Sequence, residues 1–233
     1  MKNRYFTPRT KMADLIAANH TLILVIPRFG IPLGFGEKSV QEVCGQCGLP
    51  VDFFLLVCNL YTFDDYLPDA TQLQTVDMSH LVPYLEASHR YYLNERLPHI
   101  SRHLARVADH AGPRYGDVLR KFMEGYRQDV EAHFSLEEKE LFPYVSSAGS
   151  AAHIPQEVLR SHSELVEKLS DLPQIIYKYL PADGMVEELS ELLFAILQLT
   201  SDLEKHALIE EKVLLPVVAM AGLRPASKER RNS

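Results

Sequence analysis

The sequence predicts an all-α fold: an up-down-up-down four-helix bundle, internally duplicated, with a small helical domain in front of it. Two observations carry this prediction. The first is a repeat. His89 and His133 are 44 residues apart, and His162 and His206 are again 44 apart. Each second histidine is followed four residues on by glutamate, Glu137 and Glu210, and ten residues on by proline, Pro143 and Pro216. The flanking residues align without gaps, HFSLEEKELFPYV at 133–145 against HALIEEKVLLPVV at 206–218, so one structural unit occurs twice. The second observation is apolar spacing of three and four throughout 78–218, the period of helices with one buried face.

Taken in order, residues 1–61 form the small N-terminal helical domain. Met12–Ala18, Thr21–Phe29, Ser39–Cys47 and Val51–Tyr61 read as short helices, punctuated by Gly30, Gly34, Gly36 and Gly48-Leu49-Pro50. Residues 62–77 (TFDDYLPDATQLQTVD) are polar, acidic and proline-containing, and read as a linker. The bundle occupies 78–220. Its first stripe is Val82, Leu85, His89, Tyr92, Arg96, Ile100, with a kink expected at Pro98. The second runs Leu119, Phe122, Tyr126, Val130, His133, Glu137, Leu141; the third Val158, His162, Leu165, Leu169, Ile176. The fourth is Leu189, Leu192, Ile196, Leu199, Leu203, His206, Glu210, Val213. Breaks fall at Ala111-Gly112-Pro113, Ser146–Pro155 and Pro181–Gly184, short enough to make neighbouring helices antiparallel. Residues 221–233 read as a flexible tail.

Composition removes several functional classes. With 46% hydrophobic and 24% charged residues in 233, the chain has enough apolar material for a core and is not a disordered segment. A net charge of −7 repels phosphate backbones and anionic lipid, so neither nucleic acid nor a membrane surface is an expected partner. Three Cys cannot build a disulfide framework, and Asp14 with the short run Leu22–Ile26 makes neither a signal peptide nor a membrane span. A cytoplasmic protein is expected.

Residues four apart on a helix share a face, so His133 with Glu137, and His206 with Glu210, form two claws, each about one turn tall. Both lie on apolar stripes, where an ionised carboxylate without a partner costs several kcal/mol or more; a cation is expected between them. His89 and His162 start helices one and three, His133 and His206 end helices two and four, and in this topology those are the same end. Four imidazoles and two carboxylates therefore converge on one layer, on a pseudo-twofold axis. Such a donor set suits iron, manganese or zinc, and two carboxylates able to bridge suggest two metals. Asp129 and Asp202 each precede the claw histidine by four residues and are candidates for orienting an imidazole N–H. Glu138 and Glu211 also repeat, but the adjacent position points some 100° away, and exposed charge is expected. Cys44-Gly-Gln-Cys47 lacks a second ligand pair and reads as structural; His99 and His103 read as solvated surface. No catalytic residue is assigned.

The pattern resembles the hemerythrin-like cation-binding bundles, more particularly the iron–sulfur cluster repair di-iron proteins, which join such a bundle to a small N-terminal helical domain. The residues carrying the likeness are His89; His133 and Glu137 before Leu141-Phe142-Pro143; His162; and His206 and Glu210 before Leu214-Leu215-Pro216. Upstream, Arg28-Phe29-Gly30-Ile31 and Gly36-Glu37-Lys38-Ser39 are similar to that family's N-terminal domain, although Gly34-Phe35 stands where many members carry adjacent Cys. The resemblance implies two irons, each held by two His and bridged by Glu137, Glu210 and an oxo or hydroxo group. It implies action in nitrosative or oxidative stress, by iron donation to damaged iron–sulfur proteins or by nitric oxide reduction. The alternative is a module that binds or senses oxygen. A homodimer is a further expectation from the family.

Overall fold

The computed structural model describes residues 4–143, 156–180 and 184–222, the side chains of 156–162, 179, 221 and 222 excepted. The fold is all-α. Its elements are α1 (Met12–Ala18), α2 (Leu22–Val25) running into a 3-10 turn (Ile26–Phe29), α3 (Val40–Cys47), α4 (Val51–Thr62), α5 (Ala70–Thr75), α6 (Leu81–Tyr91), α7 (Leu97–His110), α8 (Gly112–Leu136), α9 (Gln156–Tyr179), α10 (Val186–Ile209) and α11 (Leu215–Gly222). Among the short N-terminal helices, α3 has a local reason both to begin and to end. Ser39 caps α3 in a reciprocal box with Glu42, and Gly48 closes it in the left-handed region. The segment 62–77 is more structured than a linker: Asp69 caps α5, and Tyr66, Leu73 and Val76 are buried.

In the bundle, α7 packs on α8, α8 on α9, α9 on α10, and α10 back on α7, closing a four-membered ring. The turn between α7 and α8 is tight because Gly116 carries no side chain: a Cβ there would lie 2.3 Å from the Ala108 carbonyl oxygen. Two of the expected breaks, Ser146–Pro155 and Pro181–Gly184, lie largely outside the described residues, as does most of the expected tail.

The first, second and fourth bundle helices each contain one π-helical turn: Tyr92–Arg96, Glu137–Leu141 and Glu210–Leu214. In each, the residue after the turn (Leu97, Phe142, Leu215) bonds to the carbonyl five residues back, and the next residue is proline: Pro98, Pro143, Pro216. Proline has no N–H for the carbonyl four residues back, and its ring crowds that carbonyl. A wide turn just before it moves the carbonyl aside while the helix continues. The Pro98 kink therefore takes the form of a π turn, and the repeated proline marks where the helical phase shifts beside the conserved spacing of His and Glu within this chain.

Two apolar clusters fill the molecule. One, inside the bundle, runs from Tyr92 through Leu104, Tyr126, Leu169 and Ile196. The other joins the N-terminal helices to one end of the bundle: Phe29, Phe53, Phe54 and Leu56 share it with Tyr84, Leu85, Leu141, Phe142, Ile209, Val213 and Leu214. The N-terminal unit thus sits as a cap on the bundle end that carries the claws.

Candidate metal centre

The π turns help set the ligands. Glu137 and Glu210 are the first residues of two of them, one α-helical turn after His133 and His206, so each His and Glu faces inward before the phase shift turns Leu141, Phe142, Val213 and Leu214 into the core. His89 arrives from α6, three residues before the third π turn. All five are buried, Glu137 completely.

The structure brings His89, Glu137, His206 and Glu210 together with one donor atom from each lying within 4.8 Å of all the others. The two imidazoles face each other, Nε2 to Nε2, at 3.3 Å. Glu137 reaches both ways: Oε2 is 3.3 Å from His89 Nε2, and Oε1 is 2.8 Å from His133 Nε2. Glu210 Oε1 lies 3.2 Å from His206 Nε2. Aromatic rings wall the group. Phe134 stacks on His89 at 3.9 Å between centroids, Phe142 stacks on the same imidazole at 5.5 Å, and Tyr92 meets His206 edge-on at 5.6 Å.

Burial and charge pull these groups in opposite directions. Burial opposes the charged form of His89, but Glu137, Glu210 and Glu138 outweigh it and hold its pKa above the ordinary value. For His206 burial prevails over Glu210 and pushes the pKa down. Two buried carboxylates among imidazoles form a donor set of net negative charge, and two imidazole nitrogens aimed at each other are favourable around a shared cation. The residues present fit a bound metal ion.

The remaining expected residues fall elsewhere. His162 lies on α9, but its side chain is outside the described residues. Asp129 and Asp202, expected to orient imidazoles, have other partners in the structure. Asp129 is half exposed and pairs with Lys168 at 2.7 Å. Asp202 is buried in a knot with Arg28, Tyr61 and Tyr92. Glu138 does bond an imidazole of the centre: its Oε1 lies 2.9 Å from His89 Nδ1. Such a bond leaves Nε2 to face the centre. Angular reasoning on a regular helix placed Glu138 at the surface; it sits at the rim, 45% exposed, yet reaches inward. Its repeat with Glu211 was the available signal. Glu211 itself is exposed and pairs with Lys212.

A helical bundle with carboxylate and imidazole donors buried at one end defines a metal-binding helical protein. Residues 80–217 match the hemerythrin HHE cation binding domain, and the chain belongs to that family. The matched span contains every candidate ligand. No curated protein matches the chain.

Proposed function

We propose that this chain is a non-haem di-iron protein of the iron–sulfur cluster repair type, working in the cytoplasm under nitrosative or oxidative stress. The observation that carries this reading is the Glu137 carboxylate, which offers one oxygen to His89 and the other to His133, so that it would hold metal together with either imidazole. Glu210 is its partner in the repeat. Two irons with an oxo or hydroxo bridge would supply redox change and labile positions for a diatomic ligand such as nitric oxide or oxygen.

The protein's own groups prepare the site for that role. Glu138 fixes the His89 ring; Phe134, Phe142 and Tyr92 keep bulk water from the donors. A cleft of about 280 Å³ between α8 and α9, lined by Ala132, His133, Leu136 and Leu165 with Asp129, Glu164 and Lys168 at its rim, lets a small molecule approach His133. With iron bound, the centre would supply metal for transfer to damaged iron–sulfur proteins or, given electrons from an external reductant, redox chemistry toward nitric oxide. Anaerobic reconstitution should load about two irons per chain, with near-ultraviolet and visible absorption on oxidation. The loaded protein should restore a nitrosylated iron–sulfur enzyme. Less than one iron per chain, with no loss on His133→Ala or Glu210→Gln, overturns the proposal.

A second reading, a hemerythrin-like module that binds or senses oxygen, is favoured by the core shared between the N-terminal cap and the metal end, since a ligand-induced shift would be felt by the cap. An oxygen adduct that forms and dissociates without turnover, with no cluster repair, selects it.

A further inference from the structure

The cap and the metal layer meet at a buried ionic knot. Arg28, at the end of the 3-10 turn, donates to both oxygens of Asp202 on α10, 174 residues away in sequence; the Nη1 contact is 3.1 Å. The same nitrogen donates to Tyr61 at 3.3 Å and to Tyr92 at 3.1 Å. Tyr61 and Tyr92 in turn donate to Asp202 Oδ1 at 2.8 and 3.0 Å. The guanidinium also lies over the Tyr91 ring, 4.4 Å from its centroid. Both charged side chains are 2% exposed.

A buried pair of this kind adds little to stability compared with apolar side chains of the same volume, because desolvating two ions offsets their attraction. What a forked, two-oxygen contact does impose is direction: it holds only at one rotation and one depth of the partner helix. The two elements it holds here carry the facing imidazoles. Asp202 lies one helical turn before His206 on the same face of α10. Tyr92 follows His89 by three residues, opens the π turn, and sets its ring against the His206 ring. Arg28 is itself a fixed reference, because Ile26 and Phe29 on either side are packed in the core shared by cap and bundle.

We propose that Arg28 is a positioning residue of the metal centre: through Asp202 and Tyr92 it sets the rotation and depth at which α10 and α6 present His206 and His89. This rests on the metal-binding reading above. The test uses the full chain and cobalt(II) as the probe. Replacing the knot by apolar groups, Arg28→Met with Asp202→Leu, should leave helix content and the melting point of the metal-free protein near the parent's. Cobalt affinity, measured against a chelator, should fall about 10- to 100-fold, and the visible ligand-field bands should shift. A folded double variant with parental affinity and bands overturns the proposal. If the double variant does not fold, Arg28→Lys decides, since it keeps the charge without the fork: weaker cobalt binding and shifted bands support the proposal, and unchanged ones overturn it. A parent chain that takes up no cobalt overturns the metal reading itself, and the Arg28 role with it.

Discussion

Asp129 and Asp202 occupy the same position in the two halves of the repeat, four residues before His133 and His206, and their surroundings differ completely. Asp129 is half exposed at the rim of an open cleft, with Lys168 as its partner. Asp202 is sealed beneath the N-terminal cap by Arg28 and two tyrosines. At these two positions a symmetric sequence folds into asymmetric surroundings: the flank at Asp202 is closed by the cap, and the flank at Asp129 borders the cleft. The tyrosines register the same asymmetry, for burial pushes the phenols of Tyr61 and Tyr92 well above their ordinary pKa, with Asp202 adding to the effect.

The largest test of this comparison removes each carboxylate. Asp202→Ala leaves the Arg28 guanidinium buried without its counter-charge, and roughly 3–5 kcal/mol of stability should be lost. Asp129→Ala breaks a solvated pair and should change stability by less than about 0.5 kcal/mol. Urea midpoints of the two metal-free variants decide; similar losses would mean that the cap does not distinguish the two flanks. The next effect is on the metal. Glu138→Gln weakens the acceptor on His89 Nδ1 and should lower metal affinity about tenfold, whereas Glu211→Gln, at the surface beside Lys212, should lower it little. Equal losses in chelator competition would show the two halves to be alike at this position.

The bundle and most of the ligand set were legible because they are written locally. Periodicity of three to four, Gly-Pro breaks and a histidine-to-glutamate spacing of four are short-range patterns, and the repeat sets their register; the structure brings His89, Glu137, His206 and Glu210 together and sets His133 against Glu137. What escaped has two physical sources. The π turns at Tyr92–Arg96, Glu137–Leu141 and Glu210–Leu214 each add a residue to the helical phase, so angles counted on a regular helix misplace the side chains that follow, and Glu138, exposed as expected, still reaches His89. The Arg28–Asp202 contact spans 174 residues and follows no period. Its one trace was an arginine set in the apolar run Leu22–Phe29, where a cation needs a buried acceptor that the run itself does not contain.

The smallest effect concerns how tightly the cap is seated. Cys44 and Cys58 lie in the core that cap and bundle share, whereas Cys47, one turn beyond Cys44 on α3, is exposed. Burial, with the neighbouring Cys47 adding to it, pushes the Cys44 thiol up to about 12, and burial raises Cys58 as well. At pH 8 a thiol reagent should therefore label one cysteine rapidly and the other two only on unfolding; rapid labelling of all three would show the cap to open readily, and the closed flank would lose its physical basis. The sign of the pH dependence follows from the same shift. Above the ordinary thiol pKa of about 8.5 the unfolded chain releases the Cys44 proton while the folded chain keeps it, so stability falls as pH rises from there towards 12. Cys44→Ala removes that term, and its urea midpoint should decline less steeply than the parent's between pH 9 and 10.5. An equal decline would mean that the Cys44 thiolate is already accommodated in the folded cap.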